Sequence, residues 1–332
     1  MKKHVLLITV TLALGLSWVG CNKSGKLNTT SKFTAPSGAM ELKLKWPVGE
    51  HIVQSLDFKM KSEITVPKQP APIKQDMTMG QSYALSVLKE DADGGHEVEM
   101  EFLSMRMKLD QGGKPIIDYD SGKKSPGGSA DPMAALFQKT IGAKLQYFLD
   151  ASNQVQRVEG VDALRARMTT GGPNDPSTIF KNIFSEDYFK QIMDYSRNLP
   201  PKPVQPGDTW SVTRDITEGD LGAIVLNYDM TFQRWEQRGK RNCARLEFQG
   251  TVKSRSTQNP APNGMIIAIQ EGNTSGVTWF DPELGMFIDT TMNQDMKMLM
   301  TMSGRAAGGG GRTITMTNNT SQVITIKLDS VK

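Results

Sequence analysis

The chain has 332 residues, with 39 Lys and Arg against 35 Asp and Glu. Removing Lys2 and Lys3 of an N-terminal leader from the formal +4 leaves +2, too little charge to mark a nucleic-acid binder. Two cysteines and three histidines exclude a disulfide framework, and none stands at metal-ligand spacing.

The first predicted element is an export signal over 1–20. Lys2 and Lys3 form the basic start, and Val5 to Leu16 form an apolar core too short to span a bilayer comfortably. The segment ends Ser17-Trp18-Val19-Gly20-Cys21, and Cys21 after the small Gly20 resembles the acylation site of a bacterial lipoprotein. Trp18 departs from the leucine-like residue usual there. A secreted soluble protein or an uncleaved anchor is the alternative. By the same resemblance, the uncharged Asn22 implies the outer membrane, facing the periplasm. Residues 21–38 are polar and read as a flexible tether.

A first β unit is expected over 39–159. Glu41 to Trp46 alternates strictly, Pro47 to Glu50 turns, and Ile52 to Ile64 alternates again. Met77–Leu88 and Glu97–Leu109 form a hairpin across Asp91-Ala92-Asp93-Gly94-Gly95, whose Asp and Gly suit left-handed turn positions. Asp131-Pro132 opens a helix over 132–141 with Met133, Leu136, Phe137 and Ile141 as its apolar stripe. Lys144–Leu149 and Gln154–Val158 make a further hairpin.

Several of these stretches carry a family resemblance. They are Leu42-Lys43-Leu44-Lys45 before Gly49, Val87-Leu88 before the Asp-Gly-Gly turn, Ile117-Asp118-Tyr119-Asp120-Ser121, and Ile141-Gly142 followed by Phe148-Leu149-Asp150. Together they resemble domain of unknown function 6263, a family of bacterial envelope lipoproteins. The resemblance implies an envelope address and a β architecture. It implies no activity and no site residues.

Residues 160–198 read as a helical insert, with helices expected from 161 to 196. Ile179, Phe180, Ile183, Phe184, Tyr188, Phe189, Ile192 and Met193 recur at helical spacing. Ser185 followed by Glu186 and Asp187 reads as a cap with acids in the first turn, and Pro200, Pro201 and Pro203 stop the pattern.

A second β unit is expected over 199–332, and it replays the first. Pro47 to Glu50 corresponds to Gln205 to Asp208. The hairpin holding Tyr83 and Phe102 corresponds to one holding Tyr228 and Phe248. The chain then closes with a long hairpin, 287–303 and 312–332, in which Met296, Met298, Met300 and Met302 share one face. On the return strand Ile314, Met316, Ile324, Ile326 and Leu328 share one parity. Methionine usually fills irregular core gaps, but four in alternation suit a soft face that accommodates a lipid. Successive strand residues of one face lie about 7 Å apart, too far for joint ligation of one soft metal ion.

The fold expected from this pattern is mostly β with an α insert, of the α+β class. A curved antiparallel sheet, or two half-barrels from an internal repeat, would carry helices on its concave side. It looks like the architecture of lipoprotein carriers. The expected function is a non-enzymatic envelope lipoprotein, anchored through Cys21, that binds a lipid or other apolar ligand beneath the helices. The candidate ligand face is Met296, Met298, Met300, Met302, Phe180, Phe184 and Phe189. No cofactor loop, acid pair or Ser elbow is present in the sequence, and Cys243 reads as a buried hydrophobe. A structural envelope protein with a fully packed core is the alternative.

Overall fold

The computed structural model describes residues 36–123, 132–168, 185–217, 223–255, 265–303 and 313–332. In chain order the elements are β1 (His51–Thr65), β2 (Ile73–Glu90), β3 (His96–Gln111), β4 (Lys114–Asp120), α1 (Pro132–Thr140), β5 (Lys144–Leu149), β6 (Val155–Glu159), α2 (Val161–Met168), α3 (Glu186–Met193), a 3₁₀ turn (Ser196–Asn198), β7 (Thr209–Thr217), β8 (Ala223–Arg238), β9 (Arg241–Arg255), β10 (Met265–Asp281), β11 (Met286–Ser303) and β12 (Thr313–Val331).

The twelve strands form one antiparallel sheet, ordered β6-β5-β3-β2-β1-β12-β11-β10-β9-β8-β7, with β4 paired on the far half of β3. Read from β7, this is the chain's own meander, carried past its last strand by the pairing of β12 with β1. That seam runs from Ile52↔Val331 to Thr65↔Thr317. The expected units 39–159 and 199–332 therefore lie side by side in one sheet. The meander breaks between β6 and β7, where α2 and α3 interrupt the strands.

Two expectations need correction here. The strands dominate as expected, but the described helices are too few for the α+β class, and the sheet is one open curved surface rather than two half-barrels. The described helices are short. α2 and α3 have eight residues each and stand at the two ends of the stretch from 161 to 196 where helices were expected. Residues 169–184, including Phe180 and Phe184, lie outside the described residues. The physical reason is that a long meander whose last strand pairs with its first can curve and bury its inner face against itself. A helical layer is not needed to cover the apolar side. α3 instead packs against β6 and β7 at the break. Its N-cap is Ser185, whose hydroxyl accepts from the Tyr188 N–H at 3.1 Å, and Glu186 and Asp187 occupy the first turn. Glu186 also accepts from the Val158 N–H of β6 at 3.3 Å, while the buried Arg214 of β7 donates to the Gln191 carbonyl. α3 thus ties the two sheet edges together.

One main core cluster draws on both ends of the sheet, from Ile52, Phe58 and Leu85 to Leu226, Phe232 and Leu246. Leu42, Leu44 and Trp46 join it from an extended segment where a paired strand was expected. Its alternation is real, with Glu41, Lys43 and Lys45 exposed. The segment is held by the Met40↔Val204 bridge and by the Lys45 N–H donating to the Gly285 carbonyl at 3.1 Å. A satellite cluster of Ile64, Met300 and Met316 lies at the far end of the long central strands.

Candidate functional site

The inner face of β1, β10, β11 and β12 is built from alternate residues, because side chains on a strand point to opposite faces in turn. On β11 the inward set is Thr290, Met292, Gln294, Met296, Met298 and Met300. Met296 and Met298 are each 5 % exposed and Met300 is 2 % exposed. The methionine stripe therefore faces the interior. It also divides. Met296 and Met298 belong to the main core, while Met300 and the half-buried Met302 join Ile64, Met316, Ile267 and Ile314 in the satellite cluster. Lys297, on the opposite parity, meets Glu271 at 3.6 Å on the outer face.

The registers extend this face across neighbouring strands. Met292 stands opposite Ile324, Ile324 opposite Phe58, and Phe58 opposite Met79. Met60 stands opposite Met77. Phe189 is buried on α3 within the main cluster, but α3 sits at the β6–β7 break rather than over a defined groove. Phe180, Phe184 and Cys21 lie outside the described residues.

Sequence reasoning missed a band of buried polar residues within this face. Thr274, Gln294, Asn318, Thr320 and Gln322 are all at most 4 % exposed. The signal was readable. On β12 these residues occupy the same parity as Ile314, Met316, Ile324 and Ile326, so Asn318, Thr320 and Gln322 are polar residues at interior positions.

A second inner zone lies toward the opposite end of β1. Tyr83 donates to Gln54 Oε1 at 2.9 Å, and the Tyr195 hydroxyl lies 3.4 Å from that of Tyr83. Tyr228 donates to Asn198 Oδ1, and the Trp210 indole donates to the Asn198 carbonyl at 3.1 Å. Burial raises the Tyr83 and Tyr147 phenols well above their ordinary value and pushes Tyr228 up to about 12. This zone fastens the turn after α3 to the sheet.

Cys243 is wholly buried, and burial pushes its thiol up to about 12, far from the thiolate a nucleophile needs. Among the described residues, no group of three or more His, Cys, Asp and Glu side chains gathers as a metal would require. No helix among them is long and apolar enough to cross a membrane.

The profile of DUF6263, a family of unknown function, matches residues 93–331. No curated protein sequence matches the chain. Among solved structures, the chain is similar to one described as lipid–protein interactions in lipovitellin, at 10% identity and a TM-score of 0.42, over 87% of this chain and 26% of that one. It thus spans about a quarter of that protein. It is also similar to the COG4313 outer membrane channel from Pseudomonas putida F1, at 9% identity and a TM-score of 0.21, over 88% of this chain and 100% of that one. A third is a DUF1329 family protein from Desulfovibrio piger, at 8% identity and a TM-score of 0.13, over 83% and 85%. At such scores these likenesses carry no functional argument.

Proposed function

The chain belongs to DUF6263, a family of unknown function, and within it we propose a non-enzymatic, lipid-anchored envelope protein that holds an apolar chain on the inner face of its sheet. The observation that supports this is the number of methionines on the inner face. Met60, Met77, Met79, Met292, Met296 and Met298 occupy inward positions on β1, β2 and β11. Methionine is unbranched, with three rotatable bonds and a polarisable sulfur, so such a face repacks around a chain at little cost. Rigid β-branched residues would fill the same space more uniquely. Cys21 after an export signal supports anchoring at the outer membrane.

A second reading, an envelope scaffold with a closed interior, is favoured by the low exposure of Met60, Met292, Met296 and Met298. The two differ in what leaves with the protein. Chain expressed with its own leader and purified from membranes should show an intact mass with an acylated Cys21. Organic extraction should release roughly one apolar lipid per chain. Cys21→Ser should move the protein to the soluble fraction while it keeps that lipid. An acylated chain with nothing to extract would favour the scaffold, and an unmodified Cys21 would remove the anchor.

A further inference from the structure

On adjacent rungs of the inner face, among the described residues, seven hydrogen-bonding atoms with no protein partner gather in one place. They are Thr274 Oγ1, both amide atoms of Gln294, both amide atoms of Gln322, Asn318 Nδ2 and Thr320 Oγ1. Thr274 stands opposite Gln294, and Gln294 opposite Gln322. Thr320 and Asn318 follow on the next two rungs of β12. Cross-strand neighbours lie about 5 Å apart and same-face rungs about 7 Å apart, so the five side chains form one patch.

Gln294 and Gln322 face each other directly, within reach of a mutual amide bond, yet neither donates to nor accepts from the other. Ser62 donates to Asn318 Oδ1 at 2.6 Å, which fixes that amide and leaves its Nδ2 free. Each buried polar atom left without a partner is destabilising, and folded proteins keep few of them. A contiguous group of seven is a place where a partner from outside the chain would gain several hydrogen bonds at once.

The patch also states what that partner is. Its inward neighbours on these rungs are Met60, Ser62, Ile64, Gln75, Met77, Gly272, Met296 and Met298, none of them charged. The charges of the same strands, Lys61, Glu63, Glu271, Asp295 and Lys297, alternate onto the exposed outer face. An ionised head would be desolvated there with no countercharge, which is costly. Amide N–H groups need acceptors, and amide carbonyls need donors. Hydroxyl and ester groups supply both.

We infer that Thr274, Gln294, Asn318, Thr320 and Gln322 form a subsite for the uncharged, hydroxyl- or ester-bearing head of an amphiphile of the acylglycerol class. The chain of that amphiphile lies along Met296 and Met298. This rests on the proposed reading of the methionine face.

The test uses delipidated full chain, with N-phenyl-1-naphthylamine as the apolar reporter and 1-monooleoylglycerol or oleate as competitor. Wild-type protein binds the reporter, and monooleoylglycerol displaces it at least tenfold more tightly than oleate does. The double variant Gln294→Met and Gln322→Met keeps side-chain length and removes four unpartnered atoms. It should bind the reporter as before, lose most of the tenfold preference, and melt no earlier than wild type. Thr320→Val, a smaller change, should weaken the preference about threefold. Reporter binding with an unchanged preference in both variants overturns the subsite and leaves the methionine face standing. A double variant that melts several degrees earlier also overturns it, because the amides would then be holding the fold. A wild-type chain that binds neither reporter nor monooleoylglycerol overturns the methionine-face reading and the subsite with it.

Discussion

Gly276→Val and Gly250→Val are each expected to destabilise the protein by about 3 kcal/mol or more. The two glycines sit opposite aromatic residues of neighbouring strands. Gly250 of β9 faces Tyr228 of β8, and Gly276 of β10 faces Phe248 of β9. The Tyr228 and Phe248 rings are 5.7 Å apart, a tilted pair lying across the backbone that the glycines leave bare. A Cβ at Gly250 would fall 2.5 Å from Cα and Cβ of Tyr228 and would collide with the Asn227 carbonyl oxygen. A Cβ at Gly276 would fall 2.7 Å from Phe248 Cε1 and would collide with the Thr291 carbonyl oxygen. The obstacles are backbone atoms and a packed ring rather than the free end of a flexible side chain, so relaxation is limited. Valine suits an exposed strand position, which supplies the control. Asn273→Val, on the outer face of β10, should change stability by no more than about 0.5 kcal/mol. Urea denaturation of the three variants is the measurement. Unaltered midpoints for Gly250→Val and Gly276→Val would mean that the aromatic rings do not lie over those glycines.

Between pH 10 and pH 12 the protein should lose stability steeply. Burial is the largest cause raising the Tyr83, Tyr147 and Tyr228 phenols, because the phenolate loses its water. Arg214 pulls Tyr228 back in part, and its value remains near 12. The sign follows from comparing the two states. Below the unfolded value of about 10 both states keep the proton, and the folded state loses nothing. Above it the unfolded chain releases the proton while the buried phenol still holds it, so unfolding gains free energy as pH rises. For Tyr228 this amounts to roughly 2–3 kcal/mol by pH 12, and Tyr83 and Tyr147 act in the same direction. Urea midpoints at half-unit steps, followed with phenolate absorbance, should show these phenols ionising only as the chain unfolds. Tyr147→Phe removes a hydroxyl that donates to Met100 Sδ at 3.9 Å. It should cost little at pH 8 and reduce the alkaline slope by nearly one proton. An identical slope in the variant would place the Tyr147 hydroxyl in water.

Much of the sheet was legible because strand alternation is a local signal. The long closing hairpin, the Asp-Gly turn before β3 and the cap at Ser185 all depend on residues a few positions apart. The sheet's order was not legible. The β1–β12 seam joins residues some 250 or more positions apart, and no local pattern records which strand meets which. That pairing is what makes a helical layer unnecessary, so the α+β expectation failed for want of one long-range fact. In the stretch 160–198 the apolar stripe at helical spacing marked the inner face of α3, which buries Phe189 and Met193. At the candidate site the methionines were legible from strand parity alone. The polar residues of β12 were masked by the apolar positions on either side of them, although three polar residues at buried parity are the rarer observation.

The methionine face itself is tested most directly by photocrosslinking. Full-length protein is incubated with a fatty alcohol carrying a diazirine near its terminal methyl, illuminated, digested and mapped by mass spectrometry. The proposed function requires label on the peptides of β11 and β12 that hold Met296, Met298 and Met316, and it requires excess unlabelled fatty alcohol to suppress that label. Label confined to outward-facing residues such as Val48 and Leu88, or label that unlabelled alcohol does not reduce, would contradict it.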